Sequence, residues 1–328
     1  MGLFGVGYDG IGKKTQIYTI CSATREKRGK GVRRRVAPQN KCPGRWSEFL
    51  KDALNKKELN EFLAERLSSM TYPEGRELYV TFEDKVLSNC EKTMPDCDHE
   101  EADSRLLHHA KHALNEGMTY INIVSNDTDV IILALGVYHK LRADHVFDEM
   151  TIEFGMGKNK REISIKNLAN SLGQARSQAL IFLPAFSGCD TVSAFKSIGK
   201  KKAYEALRAY PEIESVFVDL YNNPFQELTE NDSKFKKIER FVVLMYAQTS
   251  IIQSVNEARM ELYFSRNQNI ETIPPTKNAL YLHTQRAIYQ SGIWSRCLEA
   301  KQNLSSPRKF GWKEGSDQAI KWKLNNQI

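Results

Sequence analysis

The sequence predicts an α/β fold with a mostly parallel central sheet flanked by helices. Three observations carry this. Residues 100–117, EEADSRLLHHAKHALNEG, put Leu106, Leu107, Ala110, Ala113 and Leu114 on one helical face, with acids in the first turn and Gly117 as a terminator. After a short link, residues 119–125 make an apolar, β-branched run that reads as a buried strand. That run ends at Ser125-Asn126-Asp127-Thr128-Asp129, and a second apolar run, Val130 to Leu135, follows at once as the next helix. Helix, short link, buried strand, acidic turn and helix in this order build a parallel sheet.

The rest of the chain is read around that unit. Residues 1–23 contain Gly-rich pieces and no sustained period, and predict no element. Residues 24–45 lack apolar periodicity and read as a loop or arm. Trp46 to Leu67 is helical in pattern, with apolar stripes at Phe49, Leu50, Ala53 and Leu54 and at Leu59, Phe62, Leu63 and Leu67, and with Asn55 to Lys57 dividing two helices. Glu77 to Asp84 alternates as a strand, and Ser88 to His99 is a polar loop. Thr151–Phe154 and Arg161–Ile165 flank a Gly- and Lys-rich turn, either as a hairpin or as a strand leading to a helix. Residues 165–172 and 174–183 read as helices that stop at Pro184. From Glu212 the pattern is mostly helical, with Phe235–Tyr263 as one long amphipathic stretch. Ile273-Pro274-Pro275-Thr276 breaks it, and Asn278–Tyr289 is the last helix. The tail from Ser305 reads as extended.

Composition narrows the class. A chain of 328 residues holds one large domain or two modest ones, and 41% hydrophobic residues are enough for a core. No stretch nears the roughly 20 apolar residues of a membrane span. The start, MGLFGVGYDGIGKK, lacks a basic region ahead of an apolar run, so no signal peptide is expected. Six cysteines lie scattered with no CxxC pair, which fits free thiols in a reducing compartment better than a disulfide frame or zinc site. The net charge of +7 is concentrated. Residues 24–45 carry nine Lys or Arg and one Glu, leaving the remainder near neutral. A local basic segment on a neutral body fits contact with a polyanion, a solvated arm, or an import signal. The expected location is intracellular, in the nucleus rather than the cytoplasm.

Acids recur where elements meet: Glu101 and Asp103 at a helix start, Asp127 and Asp129 at a strand end, and Asp190 in Ser187-Gly188-Cys189-Asp190. In open α/β sheets ligands bind at the carboxyl ends of strands. Hard divalent cations take oxygen ligands, and a pair of them can serve phosphodiester hydrolysis. Each acid also has an ordinary use. First-turn acids suit the helix dipole, and Asp127 and Asp190 are good helix caps. Downstream, Gly199 followed by Lys200, Lys201 and Lys202 at a helix start offers backbone N–H groups and charge to a phosphate, or is simply a solvated helix start.

Glu101-Ala-Asp103, then Asp127-Thr-Asp129 after a buried strand, then Gly188-Cys-Asp190, then Ile198-Gly199-Lys-Lys-Lys-Ala203, in that order, resembles the 5′-nuclease branch of the PIN-like superfamily. That branch contains the flap endonucleases and the XPG-type repair nucleases. The likeness covers roughly residues 77–210. The whole chain, with Ile-Pro-Pro-Thr-Lys at 273–277, is also similar to uncharacterised PIN-like proteins of animal genomes. The resemblance implies a PIN-like core with a helix-hairpin-helix-like element and a helical C-terminal part. The implied divisions are 1–45 (divergent N-terminus and basic arm), 46–210 (nuclease core), 211–304 (helical part) and 305–328 (tail). It implies that Glu101, Asp103, Asp127, Asp129 and Asp190 are catalytic and bind two Mg²⁺ or Mn²⁺ ions. Gly199, Lys200, Lys201 and Lys202 would hold nucleic-acid phosphates, with Arg33, Arg34 and Arg35 on the substrate strand. The implied substrate is structured DNA (or RNA), such as a single-strand/duplex junction, with no membrane partner. Two departures stand out. Asp103 replaces a Glu of the family pattern. The family's first strand carries a further catalytic Asp, whereas Gln16-Ile-Tyr-Thr-Ile20 carries no acid, Asp9 being the nearest upstream. The sheet is therefore expected to lack its first strands, and the alternative reading is a nuclease-derived nucleic-acid-binding protein with impaired catalysis.

Overall fold

A computed structural model describes residues 3–9, 13–21, 31–264, 269–314 and 320–322. The first part of the basic segment, residues 24–30, lies outside the described residues. The chain divides into two compact units: residues 1–134, 138–168 and 297–302, and residues 135–137, 169–296 and 303–328.

The first unit holds a sheet and its helices. In chain order these are β1 (Leu3–Asp9), β2 (Lys14–Cys21), α1 (Trp46–Phe49), α2 (Ala53–Ser69), β3 (Arg76–Phe82), β4 (Lys85–Ser88), α3 (Ala102–Asn115), β5 (Tyr120–Val124), α4 (Thr128–Asp144), β6 (Glu149–Phe154) and β7 (Arg161–Ser164). The seven strands lie in the order β4-β3-β1-β2-β5-β6-β7. β2, β5 and β6 pair in parallel, and β3, antiparallel to β1, runs the same way as β2. Four strands thus share one direction, and antiparallel hairpins extend the parallel centre on both sides.

This corrects the expectation of missing first strands. Residues 3–21 supply both β1 and β2, and β2 sits at the sheet centre beside β5. β2 carries only a short alternation, Lys14 and Gln16 exposed against Thr15 and Ile17 buried, too brief to stand out among the glycines that precede it. β4 falls on the residues between the expected strand and the polar loop, which the sequence pattern assigns to no element. It forms because Glu83 takes a left-handed conformation (φ 51°) and closes a two-residue turn, with Phe82 opposite Lys85.

Alternation along β3 decides which helix covers which face. Leu78 and Val80 pack with Ala64 of α2. The neighbouring Tyr79 and Thr81 meet His112 and His109 of α3. β3 is therefore buried on both faces, with residues 78–81 all closed to solvent. The first helical stretch divides at Leu50–Asp52, not at Asn55–Lys57. Asp52 is the reason: its carboxylate caps α2 on the Asn55 N–H at 2.8 Å.

The second unit is helical: most of α5 (Ile165–Ser187), then α6 (Lys200–Ala209), α7 (Glu212–Asn222), α8 (Ser233–Tyr246), α9 (Val255–Phe264) and α10 (Lys277–Ser295), with a short hairpin of β8 (Trp312–Glu314) and β9 (Ile320–Trp322) in the tail. α5 breaks at Gly173 (φ 77°), where two helices meet as expected. It does not stop at Pro184 but continues to Ser187; Pro184 lies in the last turn, and its carbonyl accepts from the Gly188 N–H at 3.0 Å. The stretch 235–263 is two helices, because residues 247–254 form a turn held by Arg240 on the Ile252 carbonyl (2.6 Å). α10 outruns its expected end at Tyr289 since Gly292 lets the Phe225 ring lie against the helix; a β-carbon there would stand 2.8 Å from that ring. The core of this unit is aromatic. Phe182, Phe186, Phe195, Phe217 and Phe241 form a chain of rings 4.5–6.0 Å apart.

Candidate metal and nucleic-acid site

The direction of α3 places its acids. Arg105 donates to the Glu83 carbonyl just beyond β3, His109 Nε2 lies 2.6 Å from Thr81 Oγ1, and the His112 ring meets Tyr79 edge-on. As α3 advances, its partners step backward along β3. The helix runs antiparallel to β3, so its first turn stands at the carboxyl edge shared by β2, β3, β5 and β6. Glu101 is the N-cap of α3, and Asp103 lies in its first turn. Both are half-buried.

β5 ends at the same edge. Asp127 is the N-cap of α4, and its Oδ1 accepts from the Asp129 N–H at 2.9 Å. Asn126 reaches across to the turn after β6, accepting from the Gly155 N–H at 2.9 Å. Asp127 is exposed and Asp129 half-buried. The topology thus gathers Glu101, Asp103, Asp127 and Asp129 along one edge of one sheet. Among the described residues, no group of three or more His, Cys, Asp or Glu stands where it could hold one metal ion. The donor chemistry, carboxylate oxygens open to water, is that of a hard divalent cation.

β2 lies next to β5, with Tyr18 in register with Val124. Beyond that point β2 offers Thr19, Ile20 and Cys21, with no carboxylate. Asp9 is no substitute. It pairs in register with Lys14 and Arg76, at the amino end of the parallel strands and the opposite end of the sheet from Asp127.

Asp190 belongs to the second unit and is exposed. Its loop is anchored from several sides. Gly188 has φ 125°, and a β-carbon there would come within 2.7 Å of the Ala194 α-carbon, so glycine is required. Thr191 donates to Gln290 at 2.6 Å, and Ser193 lies 3.0 Å from His283 Nδ1. The His283 Nε2 is 2.7 Å from the Phe186 carbonyl. The loop leads to Gly199, the N-cap of α6, and α6 and α7 are joined through Tyr210 and Pro211. Ala203, Ala206 and Leu207 face inward, while Lys200, Lys201 and Lys202 are exposed. Gly199 differs from Gly188: its φ of −96° suits any residue, and a β-carbon there would meet nothing within 4 Å. The fold does not demand a glycine at this helix start.

The three arginines of the arm part company. The Arg33 guanidinium is taken by Glu58 and Asn55, and it holds the Glu58 carboxyl below its ordinary range. Asn55 is the peg of this segment. Fully buried, it donates to the carbonyls of Val32 (2.8 Å) and Phe49 (3.0 Å) and accepts from the Arg34 N–H (2.8 Å). Arg34 and Arg35 point outward. Asn55→Ala is expected to release residues 31–36 and make the bonds after Arg33, Arg34 and Arg35 sensitive to trypsin. Limited proteolysis followed by mass spectrometry reads the result; an unchanged cleavage pattern would show that Asn55 is dispensable.

Two features escaped the sequence reading. Arg45 and Trp46 close the basic segment, yet Trp46 counted only as the first residue of a helix. The histidines of α3 counted only as neighbours of its apolar face, although His108, His109 and His112 are themselves buried. Their signal, HHAKH at helical spacing, is present in the sequence. No protein-family model, curated protein or solved structure matches this chain.

Proposed function

We propose that the chain is a metal-dependent nuclease of the PIN-like, 5′-nuclease type, acting on structured DNA or RNA. The observation that carries this reading is the meeting of Glu101, Asp103, Asp127 and Asp129 at the carboxyl edge of a sheet with a parallel centre. In such sheets this edge is where ligands bind. These four acids would hold Mg²⁺ or Mn²⁺. When bound, such ions offset phosphate charge and lower the pKa of water. The protein's own part is to fix the acids. The Asp127 cap and the Asn126 bridge hold the β5 turn, and Arg105 holds the start of α3. The α6 start supports the reading further. Lys200, Lys201 and Lys202 are exposed beside Gly199, which the fold itself does not require, leaving room for a backbone phosphate to approach the N–H groups. The connection of α6 to α7 through Tyr210 and Pro211 suits a helix-hairpin-helix-like grip on a duplex backbone.

A second reading, a nuclease-derived binding protein without turnover, is favoured by one observation. β2 lies beside β5, where the family's acid-bearing strand is expected, and its carboxyl end carries no acid. Flap, bubble and single-stranded substrates incubated with Mg²⁺ or Mn²⁺ separate the two. Cleavage that falls at least a hundredfold with Asp127→Ala and Asp129→Ala together supports the nuclease. Metal-dependent binding without cleavage supports the second reading.

A further inference from the structure

The basic segment and α1 enclose a cleft of about 240 Å³ lined by Val32, Arg34, Pro43, Arg45, Glu48 and Phe49. It falls below the roughly 300–1,000 Å³ of pockets that take a whole small molecule. A cleft of this size accommodates one unit of a polymer. Two of its walls are cationic, and among the described residues neither Arg34 nor Arg45 has a carboxylate partner. Its one acid, Glu48, is paired with Lys51 at 2.6 Å. Arg35 and Lys41, both exposed, add positive charge nearby in the chain, and the sequence just upstream supplies Arg25, Lys27, Arg28 and Lys30.

Trp46 gives the patch its second character. Its ring stacks on Phe49, with centroids 5.2 Å apart and planes 19° from parallel. Phe49 is buried and lines the cleft, while Trp46 remains 44% exposed. A tryptophan stacked on a ring that lines the cleft, and next in the chain to Arg45, combines a stacking surface with phosphate charge. Duplex DNA hides its base faces, whereas a single strand presents them. We infer that this cleft binds one nucleotide of a single-stranded nucleic acid, with Arg34 and Arg45 on the phosphates and a base on Trp46. The site lies wholly within the first unit and is held in shape by Asn55. It shares with the proposed function only the nucleic-acid partner and needs no metal, so it is testable in EDTA, apart from cleavage.

The experiment uses the full chain in EDTA with short labelled oligothymidylate and oligouridylate, following anisotropy and tryptophan fluorescence. Binding should quench fluorescence, and duplex of the same length should compete poorly. Trp46→Leu, which keeps apolar cover over Phe49, should weaken binding roughly tenfold or more, and Trp46→Phe should restore most of it. Arg34→Ala with Arg45→Ala should make the slope of log affinity against log salt shallower by about 1.4, two phosphate contacts on a single strand. Three results would overturn the inference: unchanged binding in Trp46→Leu, an unchanged salt slope in the double arginine variant, or equal binding of polyglutamate or inorganic polyphosphate.

Discussion

Acidification from pH 6.5 towards pH 4 is expected to remove several kcal/mol of folding stability. The cause is a set of histidines that fold in their neutral form. Burial pushes His108 down to about 4, and the charges of His99, His112 and Lys111 act in the same direction; only the Pro95 carbonyl opposes them. Burial lowers His99 and His112 as well, and holds the fully buried His109 well below its ordinary value. In the second unit, burial pushes His283 to about 4 despite its bond to the Phe186 carbonyl. The sign follows from proton counting. In the unfolded chain these rings take up protons as pH falls through about 6.5, while in the folded chain His108 and His283 do so only at about pH 4 and the other three only below their ordinary value. Their burial therefore carries no protonation penalty above about pH 6.5. Below it stability declines until the folded-state values are reached. A ring shifted from 6.5 to about 4 accounts for about 3 kcal/mol over that window. Urea midpoints measured between about pH 7 and about pH 5 should fall steadily. His108→Gln should flatten the dependence without removing it, because His283 remains. A stability independent of pH in this range would contradict the burial of these rings.

Arg105→Met is expected to cost about 2–6 kcal/mol, about 1–3 for each of the two carbonyls left without a donor. Arg105 is only 2% exposed, and its guanidinium donates to the carbonyls of His99 and Glu83, with Asp84 at 3.7 Å. Burial lowers its pKa, and the nearby Cys97, Asp84 and Asp98 only partly offset this. Methionine fills the volume of the stem but leaves the carbonyls without their donor. Lysine is not expected to rescue, since one ammonium cannot reach both carbonyls in the fixed fork of a guanidinium. The effect should appear locally first. Amide exchange should quicken at residues 83–88 and 97–104, before the rest of the sheet. Because Glu101 and Asp103 begin the same helix, nucleic-acid cleavage, if present, should fall with it while the Asp127 cap stays intact. A variant as stable as the parent would mean that the tie to Glu83 carries no weight in the fold.

What the sequence determined alone is local. The helix at α3, the strand at β5 and the acidic start of α4 were legible because their signals lie within a turn or two: an apolar stripe at period 3.6, a short β-branched run, and Asp127 two residues before the N–H that it caps. The break of α5 at Gly173 is of the same kind. So the acids that define the candidate site were readable, and so was their place at element ends. Their meeting at one edge was not, because it depends on α3 folding back along β3 through Arg105, His109 and His112, contacts that span more than 20 residues of chain. The fate of the basic arm was also decided only in three dimensions. Arg33, Arg34 and Arg35 are equivalent in the sequence, yet Asn55 and Glu58, more than 20 residues away, absorb the first and turn the others outward. The strands of the first 21 residues belong here too. Their pairing with β3 on one side and β5 on the other, which no local pattern specifies, puts them at the centre of the sheet. Local order follows from the nearest neighbours along the chain, whereas strand order and the pairing of charges depend on which distant segments burial brings together.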